Sequence, residues 1–488
     1  MHNMKKLIAL GLAATMTLSL AACGGKTKKE VVNNDIGVAT WWTNMTFSSG
    51  QSIDESVDWQ NAQLKGDETD AQKEEKLFNQ NVAQLKFDTL HKVEEKYGIT
   101  FHYDNITITG VQESINTSIL AGTPDYDIYL VEPSMAIPAQ FNGLALDLKT
   151  VLPEDADIFT DQKIMTYLDM GDGKVCIIKR VEAQGAVEAT YPLGFNMQML
   201  ADNNLEDPRD LWERGEWTWD KFIEYCQVLT QDTDGDGQID QYGYGGYSVD
   251  TLTQLLMSNN TTISGGTTET LSSAATGEAL QMLYDMFNTY KVCYPYDYDY
   301  NGDAASETNR RYYRQGNIGF FPIAAWIASD GYDYDFGGEK GVTLPFDTAY
   351  VRWPVGPSGD KDLNPGKLQT SGEFYIIPVG VAEPEKVYNV LYDIWNWFDG
   401  DTSIRDDKKT LNWWYGVTAS SPELQEENFN VMFDCGSHVG FDLWETHVNV
   451  IDNMGTDLEH LVDGTMTPAQ FQETYKQAIQ AELDALYK

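Results

Sequence analysis

From residue 36 onward the chain alternates short apolar runs with stretches whose apolar residues recur every three or four positions. The runs predict strands over Ile36–Trp42, Ile99–Tyr103, Asp127–Val131, Gly173–Ile178, Tyr191–Asn196, Asn317–Phe321 and Phe374–Pro378. The periodic stretches predict helices over Glu74–Tyr97, Gln112–Ala121, Thr276–Tyr290, Glu385–Phe398 and Pro468–Leu486. Thr218 is expected to cap a further helix running to about Thr230, its hydroxyl accepting from a free first-turn amide. Strands alternating with helices of this length mean βαβ units and mainly parallel sheets flanked by helices. At 488 residues the chain exceeds what one hydrophobic core organises, so two lobes are expected. The expected class is α/β.

The pattern before the first strand is different. Lys5 and Lys6 precede an almost wholly apolar stretch, Leu7–Leu20, which runs through Ala21 and Ala22 into Cys23. A basic start, a short apolar segment and small residues describe a signal peptide over residues 1–22, which is removed. Cysteine directly after Leu-Ala-Ala resembles the bacterial lipobox, which implies that Cys23 is diacylated and begins the mature protein. Residues 23–35, opening Gly-Gly-Lys-Thr-Lys-Lys after the cysteine, suit a flexible tether over an anionic bilayer. The expected location is the extracellular face of the bacterial cell membrane.

Composition narrows the function. A net charge of −42 excludes nucleic acid as a partner, because phosphate backbones need basic surfaces. It also leans towards neutral ligands, although the charge of a whole chain does not set the charge of one cleft. Five cysteines are too few for a disulfide scaffold, and Cys176 and Cys226 read as small buried hydrophobes. Six histidines without an HExxH pattern give a zinc hydrolase little support.

One loop carries metal chemistry. Asp232, Asp234, Asp236 and Asp240 fall at positions one, three, five and nine of an EF-hand-like loop, 232–243. Gly237 takes the sharp turn at position six, and Gln238 offers its carbonyl at position seven. Position twelve is Gly243 rather than glutamate, so a ligand from elsewhere in the chain, Gln241 or water would complete the shell. The expected cofactor is a structural calcium ion.

The same region carries a family resemblance. Trp217-Thr-Trp-Asp-Lys-Phe222, followed by the acidic loop and Tyr242-Gly243, resembles the extracellular solute-binding proteins of family 1, the receptors of carbohydrate ABC importers. Ala121-Gly-Thr-Pro-Asp-Tyr-Asp127, Leu193-Gly-Phe-Asn196, Arg314–Phe321 with Trp326, and Leu461–Thr467 match further family segments in the same order. The resemblance implies a two-lobed periplasmic-binding-protein-like fold of the type II, maltose-binding kind, joined by a hinge. It places residues 36–148 and about 367–412 in one lobe, and 149–366 and about 413–488 in the other. It also implies a monomer that binds a carbohydrate, here a neutral oligosaccharide, without catalysis and delivers it to permease subunits.

Sugar rings need aromatic platforms for their C–H faces and carboxylate, hydroxyl or amide groups for their rims. Trp41 and Trp42 end the first strand, where open α/β sheets bind ligands, and Glu132 and Ser134 follow the third. Glu188, Asp250, Trp326, Glu373 and Trp444 complete the candidates on the family pattern. Trp217, Trp219, Trp395 and Trp397 are expected to be packing residues. Two other classes compete: an exported glycoside hydrolase, which needs two carboxylates across the scissile bond, and a surface glycan-binding lipoprotein uncoupled from transport. No recognisable catalytic motif supports the first, and the βαβ order disfavours the second.

Overall fold

The computed structural model describes residues 32–41, 47–66, 68–181, 189–190, 192–295, 303–323, 346–368, 373–407, 421–437, 439–440, 442–443 and 451–487. Cys23 therefore lies outside the described residues.

The first half builds β1 (Asp35–Thr40), β2 (Thr100–Asn105), β3 (Ile128–Val131), β4 (Met165–Tyr167) and β5 (Ile178–Arg180). The chain continues through β6 (Ala189–Thr190), β7 (Leu193–Asn196), β8 (Tyr242–Tyr244), β9 (Ser264–Gly265) and β10 (Thr268–Glu269). It finishes with β11 (Ile318–Pro322), β12 (Thr348–Val351), β13 (Gly366–Leu368), β14 (Phe374–Ile376) and β15 (Val439–Gly440). Among the described residues these form a six-stranded sheet, β2-β1-β3-β14-β5-β4, and a four-stranded sheet, β12-β7-β11-β8. A three-stranded ribbon, β15-β13-β6, lies on the chain paths between them.

The sheets are mixed rather than mainly parallel. β1 pairs in parallel with β2 and β3, as βαβ units require. β14, however, returns from the other sheet and enters antiparallel to β3 and β5, and β4 pairs antiparallel with β5. Strand pairing also carries β4 and β5 into the first sheet. Residues 149–180, placed in the second lobe from the sequence, therefore lie with the first, where Leu152, Ile158 and Ile164 share a core with Val38 and Leu130. The strand expected over Gly173–Ile178 starts only at Ile178. Val175 instead exchanges hydrogen bonds with the Asp147–Leu148 turn, and so leaves the ladder.

Local chemistry explains most helix ends. Thr218 accepts from the Lys221 amide and opens the helix Trp219–Leu229. Thr467, just before Pro468, and Gln470, in the first turn, form a reciprocal capping box at the start of the last helix. Beside the first of these, Gly243 lies flush on the helix: a Cβ there would stand 2.4 Å from the Cys226 Cα, so glycine is required.

On the four-stranded sheet the packing centres on Phe320, fully buried, with the rings of Phe222, Trp217 and Phe195 at 5.3, 5.8 and 6.2 Å. Trp217, Trp219, Trp395 and Trp397 are all buried, as expected of packing residues. Cys176, Cys226, Cys293 and Cys435 are buried free thiols, and burial pushes each thiol pKa up. The open edge at β12 is closed by the helix Pro422–Ser437. From it, buried Asn428 accepts from the Tyr350 amide and donates to the Thr348 carbonyl, in place of a neighbouring strand.

The chain enters the first sheet through a clamped residue. The Asn33 amide donates to Glu383 at 2.7 Å, its carbonyl accepts from Lys386 Nζ at 2.7 Å, and its side chain donates to Asp127 at 2.6 Å. Glu383 itself sits at φ 50°, in the left-handed region.

Candidate functional site

The carboxyl ends of β1, β3 and β5 lie at one end of the six-stranded sheet, because all three run in the same direction. The last complete row across it is Val131–Phe374–Lys179–Thr166. One residue further on, Glu132, Glu373 and Arg180 form a charged rim. Arg180 Nη2 and Glu373 Oε2 are 3.7 Å apart. Trp41, one residue past β1, is half-buried and packs against the cores on both faces of the sheet.

Glu132 owes its position to the helix Pro133–Phe141. Its carbonyl accepts from the Met135 and Ala136 amides, while its carboxylate makes no cap bond. Burial alone pushes that carboxyl above the ordinary glutamate value. Ser134 is exposed on the first turn of the same helix. Asp250 belongs to the other sheet, half-buried in the first turn of the helix Ser248–Ser258. The structure thus brings Trp41, Glu132 and Glu373 to one rim and sets Asp250 on the opposite body. Trp42, Glu188, Trp326 and Trp444 lie outside the described residues. Lys179 and Arg180 were missed from the sequence; their signal is a Lys-Arg pair closing the apolar run Val175–Ile178.

The acidic loop is built as a turn of carboxylates accepting from its own backbone. Asp232 accepts from the Gly235 and Gly237 amides at 2.7 and 2.8 Å, and Asp240 from the Thr233 amide at 2.8 Å. The Thr233 bonds hold the Asp240 carboxyl below its ordinary value. Asp232, Asp234 and Asp240 each place an oxygen within 4.8 Å of the others, a hard donor set that suits a calcium ion. Asp236 stands outside this group, and its carboxylate accepts from the Gln238 amide instead. The Gln241 side chain is turned back to the Leu229 carbonyl, at 2.7 Å.

The crossings between the sheets complete the picture. Leu368 and Lys367 of β13 pair antiparallel with Ala189 and Thr190 of β6. Two α/β bodies joined by paired crossings, with a charged and aromatic rim at the strand ends, define a two-lobed binding-protein fold.

The chain belongs to the bacterial extracellular solute-binding protein family, whose model matches residues 65–398. Among solved structures it is similar to UspC of M. tuberculosis, at 13% identity over 93% of this chain and 100% of that one, with a TM-score of 0.58. The cyclic alpha-maltosyl-1,6-maltose binding protein of Arthrobacter globiformis gives 14% identity, 93% and 100% coverage and a TM-score of 0.56. The maltose/maltodextrin-binding domain MalE of Bdellovibrio bacteriovorus, bound to maltotriose, gives 16%, 82%, 96% and 0.52. At these identities the likeness concerns the fold, which is the two-lobed maltose-binding kind. No curated protein sequence matches the chain. Among the described residues, no helix is long and apolar enough to cross a membrane.

Proposed function

We propose that this chain is a receptor that binds a carbohydrate between its two sheets, closes on it and delivers it to an ABC permease. The observation that carries this is the rim at the carboxyl ends of β1, β3 and β5, beside paired crossings that allow one body to bend towards the other. Trp41 supplies a platform for a sugar face, and Glu132 and Glu373 supply acceptors for its hydroxyls. Family membership and the folds of sugar-binding neighbours support the reading. In the same proposal Cys23 carries the lipid anchor, residues 36–148 and about 367–412 with the added segment 149–180 form one lobe, and the remainder forms the other.

The loop 232–243 is proposed as a calcium staple, with Asp232, Asp234 and Asp240 as its carboxylate ligands. It connects the helix Trp219–Leu229 to β8, so the ion would fix the geometry of an edge strand and take no part in ligand chemistry.

A thermal-shift screen with maltotriose and a panel of oligosaccharides tests the receptor reading, since a ligand of the folded state raises the melting temperature by mass action. The saccharide should be recovered intact after incubation. Cleaved product would turn the reading towards a hydrolase.

A further inference from the structure

The helix Asp70–Tyr97 is longer than the sheet it lies on. Its 28 residues span about 42 Å, whereas the six residues of β1 or β2 span about 20 Å. Ser49 fixes its level at the sheet edge: the Ser49 amide donates to the Phe101 carbonyl, and its hydroxyl accepts from the Phe101 amide and donates to Glu94. About two turns up the helix, the Phe87 ring meets Phe47 at 5.0 Å, next to Ser48, which accepts from the Tyr103 amide. Phe87 thus stands level with the last residues of β2. Residues 70–86 project about 25 Å beyond the carboxyl ends of β1 and β2.

The short helix Val57–Asn61 runs up this projection and makes it a two-helix prong. Asp58 pairs with Lys86 at 3.0 Å, the Ala62 carbonyl accepts from Gln80 at 3.0 Å, and the Gln63 carbonyl accepts from Lys76 at 3.0 Å. Ala62, Val82 and Ala83 are buried along it. At the tip the Lys65 and Gly66 amides donate to Glu68, which also takes Lys76 at 2.7 Å. The prong stands beside the cleft: Lys86, and after it Arg180 of the rim, hold the Asp58 carboxyl below its ordinary value. Leu64, next to Gln63 at the tip, is 45% exposed, and Leu77, next to Lys76, is 48% exposed. Residues 53–86 carry eight carboxylates against four lysines, so these leucines sit in an acidic surround. The helix Val57–Asn61 lies ahead of residues 65–398, the part matched by the family model.

A saccharide bound at the strand ends leaves by the same end, so whatever receives it faces the prong. Lipid and a second copy of the chain are the other occupants for two exposed leucines, and charge disfavours both. An anionic bilayer repels an acidic tip, and so does a second chain of net charge −42. We propose that the prong is the receptor's docking element for the membrane permease, with Leu64 and Leu77 entering an apolar pocket rimmed by lysine or arginine on that protein. This rests on the carbohydrate-receptor reading above and names the surface through which its partner is met. Saccharide recognition stays with the rim, and the prong takes no part in it.

The test places the photo-crosslinker benzoylphenylalanine at position 64 or 77 of the full chain in membranes of its own host. Leu120, 73% exposed just before β3 at the opposite end of the sheet, is the control position. Mass spectrometry of the adducts should identify a polytopic permease from 64 and 77 and none from 120. The yield should fall as salt is raised towards 1 M, where the Debye length is about 3 Å. Leu64→Asp and Leu77→Asp should each weaken the permease contact about tenfold, the worth of one side chain buried at an interface, and leave the saccharide thermal shift unchanged. Adducts to a second copy of the chain, equal adducts from position 120, or no permease adduct would overturn the proposal and leave the receptor reading intact. A smaller saccharide shift in the aspartate variants would also overturn it, by making the prong a wall of the sugar site. A permease adduct with no saccharide shift anywhere in the panel would uphold the docking and sink the carbohydrate reading alone.

Discussion

Lys367 stands opposite Thr190, so the strand leaving the six-stranded sheet and the strand returning to it run antiparallel, side by side. So narrow a connection between two bodies is a natural pivot for hinge closure. Closure on a bound sugar should therefore reduce the radius of gyration in small-angle scattering at saturating saccharide. Binding that leaves the scattering curve unchanged would point to a static site.

Glu132 offers a pH test. Its folded pKa lies above the unfolded value of 4.5, so ionising it opposes folding. That penalty is absent below the unfolded pKa and complete once the pH exceeds the folded one. Glu132→Gln should thus be more stable than the parent at pH 7 and equal to it near pH 3, in urea melts at both. A variant less stable at pH 7 would show that something other than burial sets the carboxyl's state.

The packing on the four-stranded sheet should depend heavily on Phe320. Phe320→Ala removes the ring around which Trp217, Phe222 and Phe195 pack, and should cost about 3 to 5 kcal/mol of stability. The urea midpoint followed by tryptophan fluorescence reads this directly.

Calcium should raise the melting temperature, and a chelator should lower it, without abolishing saccharide binding in the cold. Asp234→Ala removes one of the three clustered carboxylates and should blunt the calcium response. Scanning calorimetry with and without calcium decides, and an undiminished response in the variant returns the loop to a solvated turn.

Cys23→Ala should release the protein from membranes, since one acyl chain binds only marginally and diacylation supplies two. Sedimentation of the variant with membranes after a salt wash would contradict the lipid-anchor proposal.

Much of the fold was legible because its signals are local. Thr218 and Thr467 announce their helices by cap chemistry, and Leu193–Asn196 and Ile318–Pro322 by unbroken apolarity. The helix Ser248–Ser258 was not read: Val249, Leu252, Leu255 and Leu256 do recur at helical spacing, but the run is short, and the polar Ser248, Thr251, Thr253 and Gln254, all buried, read as a turn. Sheet direction was misread for a different reason: β14 joins β3 across more than 240 residues, and no local pattern records such a pairing. At the rim, Trp41, Glu132 and Glu373 follow from strand ends and family pattern. Lys179 and Arg180 escaped because their place at the rim depends on β5 pairing with the distant β14, which no local pattern records.

The clamp on Asn33 bears on where the receptor can go. If Cys23 is held in the bilayer as proposed, the ten residues 23–32 can reach no further than ~34 Å, at about 3.4 Å each. Because Glu383, Lys386 and Asp127 fix the root, no further chain pays out from the domain. The receptor would then stay within a thin layer above the lipid, and its search for a membrane partner would become two-dimensional.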